Sequence, residues 1–157
     1  MAVRVLGIDP GTRSVGIGVV DRIGSRLVYA GHRVVAPGRM GGNLPARLHA
    51  IHLGIRDAIR EFKPDRISLE EAFHGKSAQS ALRIGEGRGV AILAAEMEGV
   101  ELHQYPPATV KKAVTGNGNA AKVQVGQMVR VILSLEEEIP EDAADALAVA
   151  ICHLNRS

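Results

Sequence analysis

Four carboxylates in this chain, Asp9, Glu70, Asp142 and Asp145, stand at the ends of elements rather than inside solvated runs. Asp9 closes a largely apolar run from Val3 to Ile8, and a Pro10-Gly11 turn and a second apolar run, Val15–Asp21, follow at once. Such a run reads as a buried strand. A carboxylate at its end is costly unless something pairs with it, and a metal ion is the most economical partner. Glu70 closes another short apolar run, Arg66–Glu70. Asp142 and Asp145 are three residues apart on the last helical segment, about 60° apart around its axis, so both can face the same neighbour. Four carboxylates held close repel, and some stay protonated unless cations neutralise them. Oxygen-only ligation suits Mg²⁺ or Mn²⁺. Two such ions ~3.5–4 Å apart suit in-line displacement at phosphorus, one activating water and the other stabilising the leaving oxygen. Zinc fits poorly, because the six histidines are dispersed and His49-x-x-His52 has no Cys or carboxylate partner at a suitable spacing.

Each acid also has a plainer explanation. Asp142 and Asp145 follow Pro140 in a first helical turn, where acids offset the helix dipole for ~0.3–1 kcal/mol. Glu70, beside Glu71, could be a solvated strand end. Asp9 before Pro-Gly could hydrogen-bond its own backbone in a turn. The convergence of all four on element ends that one fold brings together favours the metal site.

The elements that must position them follow from periodicity. Three strand-like runs, Val3–Asp9, Val15–Asp21 and Arg26–Ala36, are joined too tightly to be anything but antiparallel neighbours. Leu44, Leu48, Ile51, Ile55, Ile59 and Phe62 recur at steps of three and four and predict a helix from about Leu44 to Phe62, with Asn43 as its cap. Arg66–Glu70 predicts a fourth strand, Ser77–Glu98 a second helix rich in Gly and Ala, and Val100–Tyr105 a fifth strand. A short helix around Val110-Lys111-Lys112 ends at Gly116-Asn117-Gly118. Two more follow, Lys122–Leu133 and a last one from Pro140 to about Leu154. The expectation is an α/β protein with a five-stranded mixed sheet flanked by helices, the ribonuclease H-like architecture, with residues 1–157 as one domain. In such open sheets, sites form beyond the strand ends where connections diverge, so Asp9 and Glu70 should sit side by side.

Composition excludes more than it specifies. At 157 residues, 46% apolar and 23% charged, the chain is long enough for a hydrophobic core. No apolar run approaches a membrane span and no basic-then-apolar leader stands out. The lone Cys152 rules out an intrachain disulfide and fits a reducing, cytoplasmic setting without membrane contact. A net charge of +2 is small. If the acids converge in one cleft, however, the remaining surface is more basic than that figure and admits nucleic acid.

Five motifs, in order, are Gly7-Ile8-Asp9-Pro10-Gly11, Leu69-Glu70-Glu71-Ala72-Phe73, Val110-Lys111-Lys112, Gly116-x-Gly118-x-Ala120-x-Lys122 and Asp142-Ala143-Ala144-Asp145-Ala146-Leu147-Ala148. Together they resemble the bacterial RuvC family of Holliday-junction resolvases over nearly the whole chain. The resemblance implies a ribonuclease H-like fold, a homodimer, and metal-dependent nicking of two like-polarity strands of a four-way DNA junction. It makes Asp9, Glu70, Asp142 and Asp145 the expected catalytic and metal-binding carboxylates, with Mg²⁺ or Mn²⁺, two ions per site. Glu70 is chosen over Glu71 as the first acid after the apolar strand residues. Some members carry His at the position of Asp142. Phe73 matches the aromatic that stacks on bases at the opened crossover, and Lys111 and Lys122 match basic residues near the scissile bond. Arg13 and Lys76 are candidate contacts to backbone phosphates, and branch-migration proteins are partners that the kinship implies.

Rival readings leave traces too. A strand followed by Asp-x-Gly-Thr also occurs in actin-like ATPases, but that fold needs two duplicated halves. Gly116–Val123 approaches a phosphate-binding P-loop but fails at Ala121 and Val123. Gly85-Glu86-Gly87-Arg88-Gly89 lies inside a helical pattern, where small residues for close packing explain it. A non-catalytic junction-binding module would need Phe73 and basic surface but not four acids. A related ribonuclease H-like nuclease acting on RNA would share the first motif.

Overall fold

The computed structural model describes residues 1–11, 14–36, 42–71 and 77–156. Strands β1 (Ala2–Pro10), β2 (Val15–Ile23) and β3 (Arg26–Val35) are followed by helix α1 (Leu44–Phe62) and strand β4 (Arg66–Glu70). Helix α2 (Ala78–Met97), strand β5 (Leu102–Tyr105) and helices α3 (Pro107–Thr115), α4 (Lys122–Ile132) and α5 (Glu141–Arg156) complete the order. The five strands form one sheet in the order β3-β2-β1-β4-β5. β1, β2 and β3 are antiparallel neighbours, whereas β4 runs parallel to β1 and β5 parallel to β4. A two-residue turn at Gly24-Ser25 (Gly24 φ 63°) suffices for the β2–β3 hairpin. The parallel β1–β4 pair needs a crossover, which α1 provides. This is the mixed, helix-flanked sheet expected from the pattern.

Helix boundaries follow local chemistry. The Asn43 side chain accepts the Ala46 amide at 3.0 Å, capping α1, and Lys63 in the left-handed region (φ 50°) ends it. β5 starts two residues later than the apolar pattern suggests. Gly99 (φ 70°) turns the chain, and the Val100 amide bonds back to the Ala95 carbonyl at 3.0 Å instead of entering the ladder. Arg4, the charge inside β1, faces Asp21 on β2 and bonds both its carboxylate oxygens at 2.7 and 2.8 Å.

Strand alternation gives each sheet face its own core. Leu6, Ile8, Ile17 and Leu69 pack under α1 and α2, while Val5 and Val20 pack with Val129, Leu147 and Ile151 under α4 and α5. Gly7 therefore shares the α5 face with Val5 and Asp9. A Cβ on Gly7 would lie 2.0 Å from the Ala146 carbonyl oxygen, and one on Gly16 only 1.9 Å from that of Asp142. The glycines let a mostly buried, alanine-rich α5 lie directly on β1 and β2.

Candidate active site

The same alternation that puts Gly7 under α5 aims Asp9 at the first turns of that helix. There, carboxylate oxygens of Asp9, Asp142 and Asp145 all come within 4.8 Å of one another. Asp142 and Asp145 thus point at the sheet. The exposed acid of the first turn is Glu141, so dipole compensation alone does not account for the pair. Glu70 is half-buried and Glu71 exposed. Glu70 stands outside the tight trio and lines the adjoining cleft of about 310 Å³ with Asp145, Lys111 and Lys122, over a floor that includes Val110 and Val149.

The electrostatics match that crowding. Burial, then the charges of Asp145, Glu70 and Asp142, push the Asp9 carboxyl up to about 7, against a smaller opposing pull from Lys122. Burial first, then Asp145, raises Glu70, while Lys111, Lys122 and Arg88 work against the rise. Burial also raises Asp145, countered by its bond to Lys122. The Lys122 ammonium bridges Glu141 at 2.9 Å and Asp145 at 3.1 Å, and those bonds, Glu141's first, hold it charged well above its usual range. An all-oxygen donor set this reluctant to ionise alone fits a hard divalent cation. Lys111 and Lys122 line the cleft beside it.

Two contributors escaped the sequence pattern. The Ser14 hydroxyl donates to the Asp142 carboxylate, and the Ser14 carbonyl accepts the Gly11 amide at 2.9 Å. Nothing in a single sequence marks Ser14. Arg88, on α2, donates to the Glu70 carbonyl and to the Gln104 side chain. A cation flanked by Gly87 and Gly89 in a small-residue helix is the available signal. Among the described residues, Gly87 of that cluster packs against Pro10, whereas Gly85 and Gly89 have no neighbour within 4 Å of an added Cβ. Close packing inside the chain therefore explains one glycine of the three. Arg13, Phe73 and Lys76 lie outside the described residues.

The family model described as "Crossover junction endodeoxyribonuclease RuvC" matches residues 5–153. A protein of that name from Geotalea uraniireducens is 44% identical over 154 residues, covering 98% of this chain and 90% of its own. One from Rubrobacter xylanophilus is 45% identical over 150 residues, covering 95% and 83%. Among solved structures, T. thermophilus RuvC in complex with Holliday junction substrate superposes with a TM-score of 0.90 at 35% identity, covering 98% of this chain and 94% of that one. The yeast mitochondrial Holliday junction resolvase Ydc2 shares the fold, with a TM-score of 0.72 at 15% identity over 98% of this chain and 79% of its own. No helix among the described residues is long and apolar enough to cross a membrane.

Proposed function

The chain belongs to the RuvC family of crossover junction endodeoxyribonucleases, and on that premise we propose that it resolves four-way DNA junctions by paired, symmetric nicks in recombination and repair. As a family member it is a metal-dependent endonuclease. The observation that carries the reading is the meeting of Asp9, Asp142 and Asp145 within 4.8 Å, at the end of a cleft lined by Glu70, Lys111 and Lys122.

Asp9, Glu70, Asp142 and Asp145 would together hold two Mg²⁺ or Mn²⁺ ions. When bound, such ions supply Lewis-acid activation of water and of the scissile phosphate. The protein's part is placement and charge. Ser14 holds one Asp142 oxygen, so that carboxylate is oriented before a cation arrives. Lys111 and Lys122 border the path a phosphodiester would take and would offset charge developing at phosphorus. Lys122 would then exchange part of its contact with Asp145 for a phosphate oxygen. Hydrolysis leaves a 5′-phosphate and a 3′-hydroxyl, ends that a ligase can rejoin. Phe73 is assigned to stack on bases at the opened crossover, and Arg13 and Lys76 to backbone phosphates. Residues 1–157 act as one nuclease domain, in the cytoplasm. Two copies, paired through α2, match the two-fold symmetry of the junction. Branch-migration proteins deliver the substrate.

A binding module without catalysis is disfavoured, because uncompensated acids in a phosphate cleft weaken DNA binding. The test is cleavage of a synthetic four-way junction beside linear duplex and an RNA–DNA hybrid, with Mg²⁺, Mn²⁺ or chelator. Metal-dependent symmetric nicks confined to the junction are expected, and Asp9→Asn should abolish them while leaving junction binding intact. A near wild-type rate in Asp9→Asn would sink the site assignment. Binding without cutting under either metal would favour the module, and cleavage of the hybrid alone would replace the substrate.

A further inference from the structure

The end of β4 carries Glu70 but is not held by the sheet on both sides. Its amides alternate: Ile67 and Glu71 donate to the β5 side, to the Glu101 and Tyr105 carbonyls at 2.9 and 2.8 Å. The backbone of Glu70 is therefore turned toward β1. The β1–β4 ladder stops at Ile8–Leu69, and the strand neighbour farther on is Pro10, which has no N–H to give. The Glu70 carbonyl would be an orphan at the point where the strand must hold a charged side chain in register.

Arg88 fills that place. One guanidinium nitrogen donates to the Glu70 carbonyl and the other terminal nitrogen to the Gln104 side chain, so a single planar group clamps the ends of β4 and β5. Gly87, the preceding residue, packs against Pro10, which keeps α2 close enough for the reach. Leu69, which pairs with Gln104, belongs to the core under α1 and α2. Arg88 thus grips the backbone from the opposite face to the acids. Burial works against its charge, and the nearby Glu71 and Glu70 work to retain it.

We infer that Arg88 is a positioning residue that fixes the strand end from which Glu70 reaches the metal site. The role rests on Glu70 being one of the metal-binding carboxylates. It differs from general helix docking because it predicts weaker cation binding, not only a looser fold.

The test titrates Mn²⁺ alone into the full chain by calorimetry and measures junction turnover and metal-free junction affinity in parallel. Arg88→Met should weaken Mn²⁺ binding and lower kcat about ten- to a hundredfold, the usual cost of losing a group that orients a ligand, with junction affinity unchanged. Arg88→Lys, which keeps the charge but not the planar fork, should recover only part. Gln104→Ala, which frees one arm of the clamp, should move both readouts the same way but less. A drop in thermal stability with unchanged Mn²⁺ affinity and kcat would reduce Arg88 to a packing residue and overturn the inference. If Arg88→Met does not fold, Arg88→Lys and Gln104→Ala decide it by the same readouts. Glu70→Gln separates the two levels. If it weakens Mn²⁺ binding and the Arg88 variants do not, Arg88 alone fails. If it changes nothing, the reading of Glu70 fails and Arg88 falls with it.

Discussion

At the residue scale, the most consequential group is Asp9, and its titration makes a prediction independent of DNA. Its carboxyl is pushed up to about 7 by burial and by the neighbouring acids, against about 3.9 for a solvated Asp. The folded, metal-free protein therefore holds a proton here that the unfolded chain has already lost. The resulting stabilisation is full below the unfolded value, and is lost as pH rises through about 7. His153, whose pKa burial lowers, acts in the opposite sense. The clean quantity is thus the difference between the wild type and Asp9→Asn. In chelator, thermal melts should show no advantage for Asp9→Asn near pH 4 and a clear one at pH 8, on the order of a few kcal/mol. Saturating Mg²⁺ should erase the advantage by stabilising only the wild type. Parallel curves for the two proteins across that range would mean Asp9 is not crowded. Asp9 was legible in the sequence because an acid ending a buried strand has few other uses. Ser14 and Arg88 were not, because their roles are hydrogen bonds across 128 and 18 positions of chain, and no spacing rule encodes such distances.

At the element scale, the site exists because α5 lies unusually close to β1 and β2. The periodicity that marks α1 and the strands says about where elements begin and end, and α1 and β4 lie where it puts them. It does not say how closely two of them approach. That information sits in Gly7 and Gly16, which in a sequence read only as gaps in an apolar run. A Cβ at Gly16 would meet the Asp142 carbonyl at 1.9 Å, and backbone atoms on both sides leave no flexible side chain to give way. Gly16→Ala should cost at least ~1–3 kcal/mol by overpacking. Melting should drop by roughly 2–4 °C for each kcal/mol. Because the shift displaces Asp142 from Asp9, Mn²⁺ affinity should fall with it. Gly126→Ala is the matched control. It sits inside α4 with nothing within 4 Å of the added methyl, so helix propensity should stabilise it by ~0.5–1 kcal/mol. Opposite signs for the two variants are expected, and a Gly16→Ala protein as stable as the wild type would mean α5 is not packed this tightly.

For the whole molecule, α2 leaves large apolar side chains exposed. Leu82, Leu93 and Met97 on α2 are 69%, 54% and 64% exposed, and Ile92 adds to them at 39%. Leu82, Gly85, Gly89 and Ile92 recur at steps of three and four, and neither glycine meets anything among the described residues. A helix face of large apolar residues interrupted by glycines allows a second helix to approach closely. The small-residue content of α2 was visible in the sequence. Which small residues face inward was not, since an alanine-rich helix carries little amphipathic signal and only the packing of Ala91, Ala94 and Ala95 against the sheet fixes its rotation. Leu93→Glu should leave the protomer folded, because an exposed substitution costs within about 0.5 kcal/mol. It should also convert a dimer to a monomer in sedimentation. Cleavage gives the sharper readout. Paired nicks across a cruciform in a supercoiled plasmid linearise it, whereas an unpaired nick only relaxes it to an open circle. The wild type should yield mainly linear product and Leu93→Glu mainly open circle, with the metal site intact and Mn²⁺ affinity unchanged. A Leu93→Glu protein that still sediments as a dimer and still linearises the plasmid would move the two-fold axis off α2, and the paired geometry would have to be rebuilt from another face.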